Sequence, residues 1–229
     1  MRVAAVIGSG KGKKSTSASL IGYLEKQLAP QGISFTYFFT RTMHHDPDRQ
    51  KEFFEEIRQL TEEDIFIICA PDYVDSLPGP LKEVMEEMKY ALGQNAMTGR
   101  KLLAAIHSGY PEPQQRRPAL EICRNFAAVM GFQWCGGLSL GGTSPIDGQP
   151  LEASGPFGKK ICPVMDRLAG SIAAGTLTKT EALVLEDVST MPVPAWMAAK
   201  LMNVMTKIKS MKQKRDLRAQ PYTQKTTGR

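Results

Sequence analysis

The residues whose types and spacing most directly suggest chemistry are Gly8-Ser9-Gly10-Lys11-Gly12-Lys13-Lys14-Ser15-Thr16-Ser17. Alternating glycines let backbone N–H groups turn toward one point, hydroxyls add donors, and lysines bring positive charge. An apolar run, Val3-Ala4-Ala5-Val6-Ile7, precedes this stretch, and a helical period follows at Ala18, Ile21, Leu24 and Leu28. A strand, a small basic loop and a hydroxyl-capped helix start together make an anion site, because the first turn of a helix has unpaired donors and a partial positive charge. The expected occupant is a phosphate. Neither common phosphate signature fits: the P-loop spacing puts Ile7 where its first glycine belongs, and the dinucleotide spacing puts Lys13 where its third glycine belongs.

Other reactive side chains are scattered. His44-His45-Asp46 sits in a polar loop without a third ligand at helical spacing, so it reads as solvated loop and no metal is expected. Cys69, Cys123, Cys135 and Cys162 are widely spaced in apolar surroundings, which suits reduced thiols in a cytoplasmic core. No nucleophile–base constellation emerges, so no catalytic side chain is assigned.

The elements that must position the basic loop repeat regularly. Apolar strands are expected at residues 3–7, 33–39, 65–69, 101–106 and 132–140, each followed by a segment with helical periodicity, the last at 161–174. Strands apolar throughout are buried on both faces, which predicts an α/β fold with a parallel five-stranded sheet between helices. Right-handed crossovers make the doubly wound order 2-1-3-4-5 the simplest wiring. Ligands in such sheets bind at the carboxyl ends of the strands, at the switch point between strands one and three. The unusual loops follow strands one, three and four, so they are expected to meet at one rim. A long Gly- and Pro-containing loop, 141–158, follows strand five and reads as functional or disordered.

Charge separates the chain in two. Nine of its 29 basic residues, but one of its 23 acidic residues, lie from Lys200 onward, leaving 20 basic against 22 acidic before it. The basic character therefore belongs to the tail. No run of eighteen apolar residues marks a transmembrane helix, and the chain enters a strand at once, so neither a span nor a secretory signal is expected.

Three segments resemble those of the flavodoxin-like NADPH-dependent FMN reductase and NAD(P)H dehydrogenase family. Its first loop, G-S-x-R-x-x-G-x-T, is matched at Gly8, Ser9 and Thr16, with Lys11 in place of the arginine and Lys14 in place of the second glycine. Pro71-Asp72-Tyr73-Val74-Asp75-Ser76-Leu77-Pro78-Gly79-Pro80-Leu81-Lys82 is similar to its P-x-Y-x-x-x-x-P-x-x-L-K segment, and His107-Ser108-Gly109-Tyr110-Pro111-Glu112 to its third flavin-contacting loop. The resemblance implies a flavodoxin-like domain over 1–188, non-covalent FMN, and NADPH or NADH as co-substrate. It places the FMN phosphate at Ser9, Lys11, Ser15, Thr16 and Ser17. It places the ring at Pro71, Tyr73, Val74, Leu77, Ser108, Gly109 and Tyr110. Glu112 has two readings, a hydrogen bond to the ring edge or a helix cap. The implied partners are a small-molecule electron acceptor (a quinone, a nitro or azo compound, or free flavin) and further copies of the chain in a homodimer or tetramer. A flavodoxin-type electron carrier and a deviant P-loop ATPase are the alternatives; the second lacks an aspartate where strand three ends, at Cys69-Ala70-Pro71.

Residues 189–229 read as a helical extension. Met191-Pro192-Val193-Pro194 breaks the chain, and Met197, Leu201, Met205, Ile208 and Met211 then follow at helical spacing opposite Lys200, Lys207 and Lys214. A helix docked on its own domain or on a second subunit is the favoured reading, a membrane-surface contact the other. Aromatics do not interleave with the basic residues, so nucleic acid is not an expected partner. Lys214-Arg215-Asp216-Leu217-Arg218-Ala219-Gln220-Pro221-Tyr222 resembles the ending of some longer family members.

Overall fold

This computed structural model describes residues 1–190 and 195–212. The chain divides into two compact units, Met1–Thr190 and Met191–Arg229. The first contains six strands, β1 (Arg2–Ile7), β2 (Ser34–Phe39), β3 (Ile65–Pro71), β4 (Lys101–His107), β5 (Gln133–Gly141) and β6 (Val184–Ser189). They form one parallel sheet in the order β2-β1-β3-β4-β5-β6. Between them run α1 (Thr16–Leu28), the short α2 (Thr40–Met43), α3 (Pro47–Arg58), α4 (Gly79–Leu92), α5 (Pro113–Met130) and α6 (Gly155–Ala173).

Both faces of the sheet are covered, which is why its central strands are apolar at consecutive positions. In β1, Ala4 and Val6 pack with Phe53, Leu81 and Leu120 of α3, α4 and α5, while Val3, Ala5 and Ile7 face Leu20 and Leu24 of α1 and Ile161 and Met165 of α6. Fully burying one such large side chain contributes about 1.5–3 kcal/mol. Trp134, Met85 and Met88 belong to the first of these cores. Local signals set the helix ends. Ser15 caps α1 by accepting the Ala18 N–H at 3.1 Å, and Asp46 caps α3 by accepting the Arg49 N–H at 3.2 Å. Gly131, at φ +82°, ends α5 in the left-handed conformation.

The sheet has one strand more than the five expected. Residues 184–189, Val-Leu-Glu-Asp-Val-Ser, form a half-exposed edge in which Glu186 and Asp187 interrupt the apolar positions, so they lack the continuous apolar run that marks the inner strands. The helix expected from residue 161 begins at Gly155, which shortens the loop after β5. Just before His44-His45-Asp46, in the stretch expected to be a polar loop, Thr40–Met43 forms a helical turn. His44 pairs with Glu83 and lies against His45 with ring centroids 4.0 Å apart and the rings tilted by 49°.

The second unit contains α7 (Ala195–Lys212), on which Met197, Ile208 and Met211 are exposed. The side chains of Leu201 and Met205, the break at 191–194 and the segment 214–222 lie outside the described residues. Among the described residues no helix is long and apolar enough to cross a membrane.

Candidate functional site

The strand order reverses at β1, which has β2 on one side and β3 on the other. Four loops leave the carboxyl ends of β1, β3, β4 and β5, and together they wall a cleft of about 150 Å3. Ser9, Lys11 and Thr16 come from the first loop and the start of α1. Pro71, Asp72 and Tyr73 come from the second, and His107, Ser108 and Gly109 from the third. The loop after β5 adds Thr143, Ser144 and Asp147. A larger depression, about 410 Å3, lies near Trp134 where β5 begins, far from these strand ends.

The first loop is a tight turn closed by its own hydrogen bonds. Gly12 takes φ +57° in a single tight turn, the Ser9 carbonyl accepts the Gly12 N–H at 3.0 Å, and Ser9 Oγ accepts the Lys11 N–H at 3.3 Å. Ser15 donates its hydroxyl to the Gly12 carbonyl at 2.6 Å while capping α1. The N–H groups of the first turn of α1 have no intrahelical acceptor and point out of the helix end. Gly8 is required by close approach: a Cβ there would stand 2.7 Å from Leu81 Cδ2 and 2.8 Å from the Ala70 Cβ. Lys11 pairs with Asp147 across the cleft, and its ammonium is held above its usual pKa chiefly by that hydrogen bond. Gly148, at φ +81°, lets the same β5 loop pass against the first loop, since a Cβ there would lie 2.4 Å from the Lys14 carbonyl oxygen.

The second loop is strained. Val74 and Asp75 both take positive φ, 54° and 57°, in a turn closed by the Tyr73 N–H donating to the Ser76 carbonyl at 2.8 Å. A β-branched residue in that region is unfavourable by of order 1–3 kcal/mol. The turn leaves Val74 96% exposed and Tyr73 53% exposed, while Leu77 returns to the core beside Leu81. The Asp72 N–H donates to the His107 carbonyl at 2.7 Å, tying the second loop to the third. One carboxylate oxygen of Asp72, Oδ1, is buried without a hydrogen-bond partner. Burial, and then the neighbouring Asp75, push its pKa up to about 6.

The third loop rests on Arg116, whose side chain is fully buried. Its guanidinium donates to Ser139 Oγ at 2.8 Å, Ser108 Oγ at 3.1 Å, the Tyr110 and Glu112 carbonyls at 3.0 and 3.1 Å, and Asp187 Oδ1 at 3.1 Å. Tyr110 is thus held by its backbone with its ring 54% exposed. Gly109 lies close to the β5 loop, its missing Cβ falling 2.4 Å from Ser144 Oγ. Glu112 precedes α5 without a side-chain capping bond, and its Oε2 is buried without a partner. His107 bridges Ser17 Oγ at 2.8 Å and Thr143 Oγ1 at 3.2 Å. Burial, and then Arg116, push its pKa down to about 3, so the ring is neutral. A histidine against a serine invites comparison with a hydrolase pair, but Ser17 is fully buried and no substrate reaches it. Cys69 and Cys123 are also buried, their pKa values pushed up to about 12 by desolvation, so they remain thiols.

Of the residues singled out in the sequence, the structure brings Ser9, Lys11, Thr16, Pro71, Tyr73, Ser108 and Gly109 to one cleft. Ser15 and Ser17 stand behind it as the helix cap and the partner of His107, Leu77 is core, and Val74 and Tyr110 lie exposed on the rim loops. The roles of Asp72, His107, Thr143, Asp147 and Arg116 were not assigned from the sequence. For Arg116 a signal was present: with Ala119, Leu120 and Cys123 it lies on one helical face, at steps of three, four and seven.

Residues 1–136 match the family described as NADPH-dependent FMN reductase. No curated protein matches the chain significantly. Among solved structures, an NADH:FMN oxidoreductase in its apo form aligns with TM-score 0.57 at 18% identity, covering 85% of this chain and 98% of that one. An NAD(P)H:(acceptor) oxidoreductase from Paracoccus denitrificans gives 0.55 at 16%, covering 77% and 98%. An NAD(P)H:quinone oxidoreductase from Methanothermobacter marburgensis gives 0.52 at 17%, covering 74% and 97%. At these identities the likeness shows a shared flavodoxin-like fold.

Proposed function

The chain belongs to the NADPH-dependent FMN reductase family, and from that membership we propose that its four-loop cleft holds FMN and serves reduction of a small-molecule acceptor, a quinone, a nitro or azo compound, or free flavin. The chain is an NAD(P)H-dependent flavin oxidoreductase with FMN as its cofactor; the residues that hold FMN and the acceptor are the proposal. The observation that supports it is the meeting of Ser9, Lys11 and Thr16 with Pro71, Tyr73, Ser108 and Gly109 around one cleft.

The donor set fits the group. Hydroxyls, first-turn N–H groups and one ammonium suit a phosphate. The cleft is smaller than the roughly 300–1,000 Å3 of enclosed ligand sites, which suits a ligand with its phosphate held and its ring lying along an open rim. The exposed Tyr73 and Tyr110 stand at that rim. FMN, when bound, supplies the hydride-accepting centre. The chain's own work is to bind and orient it: Ser9, Thr16 and Lys11 fix the phosphate, Pro71 and Tyr73 shape one side for the ring, and Ser108–Tyr110 present backbone groups to its edge. Assembly as a homodimer or tetramer belongs to the same reading and is measured by light scattering.

The deciding experiment is the absorbance of the purified, FMN-reconstituted protein before and after anaerobic NADPH or NADH. A flavin spectrum that bleaches with nicotinamide and returns on adding quinone is expected. Failure to retain FMN overturns the site; retention without bleaching favours an electron carrier instead.

A further inference from the structure

The bonding around His107 fixes its tautomer. Thr143 Oγ1 lies 3.0 Å from the Ser108 carbonyl oxygen, which only accepts, so the single threonine proton is used there. Toward His107 Nδ1, 3.2 Å away, Thr143 can then only accept, so Nδ1 carries the proton. In a neutral ring Nε2 is left as an acceptor, and Ser17 donates its hydroxyl to it at 2.8 Å. The whole chain of bonds is buried: His107, Ser17 and Thr143 are each less than a tenth exposed. Its ends lie on different walls of the cleft. Ser17 sits in the first turn of α1, next to Thr16 on the anion side. Thr143 binds Ser108 twice, through its hydroxyl and through its N–H at 2.9 Å, on the ring side.

We propose that His107 is a positioning residue that ties the anion-binding turn to the ring-binding loop, holding the two walls in the register that one ligand spanning both requires. This rests on the FMN reading of the cleft. Because Ser17 is fully buried and its proton is spent on His107, Ser17 serves the tie alone, and the residue it steadies on the anion side is its neighbour Thr16, which lines the cleft. The backbone joins the walls by way of β3, through the Gly8 N–H to the Cys69 carbonyl at 2.9 Å and the Asp72 N–H to the His107 carbonyl at 2.7 Å. His107 instead ties the first turn of α1 to the third loop directly, across 90 residues of chain. The neutral ring also suits the place: buried imidazolium beside the Arg116 guanidinium would be two like charges in a low-dielectric setting.

Two conservative variants cut the tie at one end each. An asparagine places its amide N–H near the position of Nδ1, so His107→Asn keeps the bond to Thr143 and loses Ser17. A glutamine reaches toward the position of Nε2, so His107→Gln keeps an acceptor for Ser17 and loses Thr143. The ratio of FMN to riboflavin affinity reports the phosphate side, and the visible absorption and circular dichroism of bound riboflavin report the ring side. His107→Asn is expected to lower the ratio about threefold to tenfold, as for one lost buried hydrogen bond, with the ring spectrum kept. His107→Gln is expected to change the ring spectrum with the ratio kept. A role in stability alone would lower the melting temperature of both without splitting the readouts, and that result overturns the proposal. Ser17→Ala and Thr143→Val, which delete one hydroxyl each, must reproduce the two halves if the histidine variants fail to fold; failure to do so also overturns it. In the flavin-free protein, long-range 1H–15N spectra of the three histidines must show His107 protonated at Nδ1. Protonation at Nε2 overturns the tie whatever happens to the flavin. A wild-type protein that shows the Nδ1 proton and binds neither flavin overturns the cofactor reading, and with it the purpose of the tie.

Discussion

On the anion side of the cleft the charges are on the surface. Lys11 has 63% of its side chain exposed and pairs with Asp147, itself 61% exposed. On the ring side the charge is inside: Arg116 shows no side-chain surface and makes five hydrogen bonds to two hydroxyls, two carbonyls and a carboxylate. A surface ion pair contributes little and exchanges partners readily, because water solvates both ions when they part. A buried charge has no such alternative, and each partner it holds is bound into the structure. The difference teaches where each wall gets its shape. The anion side offers charge that a ligand can re-pair, whereas the ring side is fixed before any ligand arrives.

The sharpest way to break this comparison is at Arg116. Arg116→Met takes the guanidinium away from Asp187, Ser139, Ser108 and the Tyr110 and Glu112 carbonyls, of which Tyr110 keeps the Ser108 hydroxyl at 2.8 Å and the Gly142 N–H at 3.1 Å. Asp187 is 36% exposed and rehydrates, so the cost comes from the buried groups left short of a donor and is expected to be about 1–3 kcal/mol. Arg116→Lys keeps the charge without the planar fork and is expected to lose much of the same stability. Urea unfolding of the flavin-free proteins measures both. A loss below about 1 kcal/mol for Arg116→Met would mean that the ring side is not fixed by its buried charge.

Which parts of this were legible in the sequence follows from where their physics is written. The inner strands could be read because burial on both faces forces consecutive apolar residues, as in Ile65-Phe66-Ile67-Ile68. The edge strand β6 needs one covered face, and its Glu186 and Asp187 break the run. The three site loops were legible because turns demand local chemistry: glycine at Gly8 and Gly12, prolines from Pro71 to Pro80. What supports them was not, because it acts across the chain. Arg116 and Arg117 are adjacent in sequence, yet one is fully buried while the other is 72% exposed. Asp147 meets Lys11 from 136 residues away, and Thr143 meets His107 from 36. Spacing along the chain carries no record of such meetings.

A smaller effect separates the two walls by pH. On the ring side Asp72, with one buried oxygen unpartnered, has its pKa raised to about 6 from an ordinary 3.8, by burial first and Asp75 second. The folded protein therefore binds this proton more tightly than the unfolded chain. The stability that goes with it is fully present below about pH 3.8 and is lost as pH rises through 6. Asp72→Asn removes a group that titrates, so it should gain stability relative to wild type at pH 7.5 and gain less, or nothing, at pH 4. Unfolding of both proteins at the two pH values measures this. An equal difference at both would show that Asp72 is solvated like the anion-side charges.

The smallest expected effect tests the anion side itself. Asp147 holds Lys11 across the cleft and sits beside Gly148, where the β5 loop meets the Lys14 carbonyl. If the proposed phosphate takes Lys11, it must displace or share this carboxylate, so Asp147 competes with the ligand. Asp147→Asn keeps the side-chain shape and removes the charge. It is expected to tighten FMN binding by roughly twofold to fivefold at low ionic strength, the scale of one exposed ion pair. The gain should vanish near 1 M salt, where screening acts within about 3 Å. Lys11→Met should weaken binding, and adding Asp147→Asn to it should then change little, since the carboxylate has lost the cation it competed for. Riboflavin, without a phosphate, should respond to neither substitution. Weaker FMN binding in Asp147→Asn would give the opposite lesson: the pair would be holding the β5 loop in place, and the anion side would be built into its own structure no less than the buried arginine across the cleft.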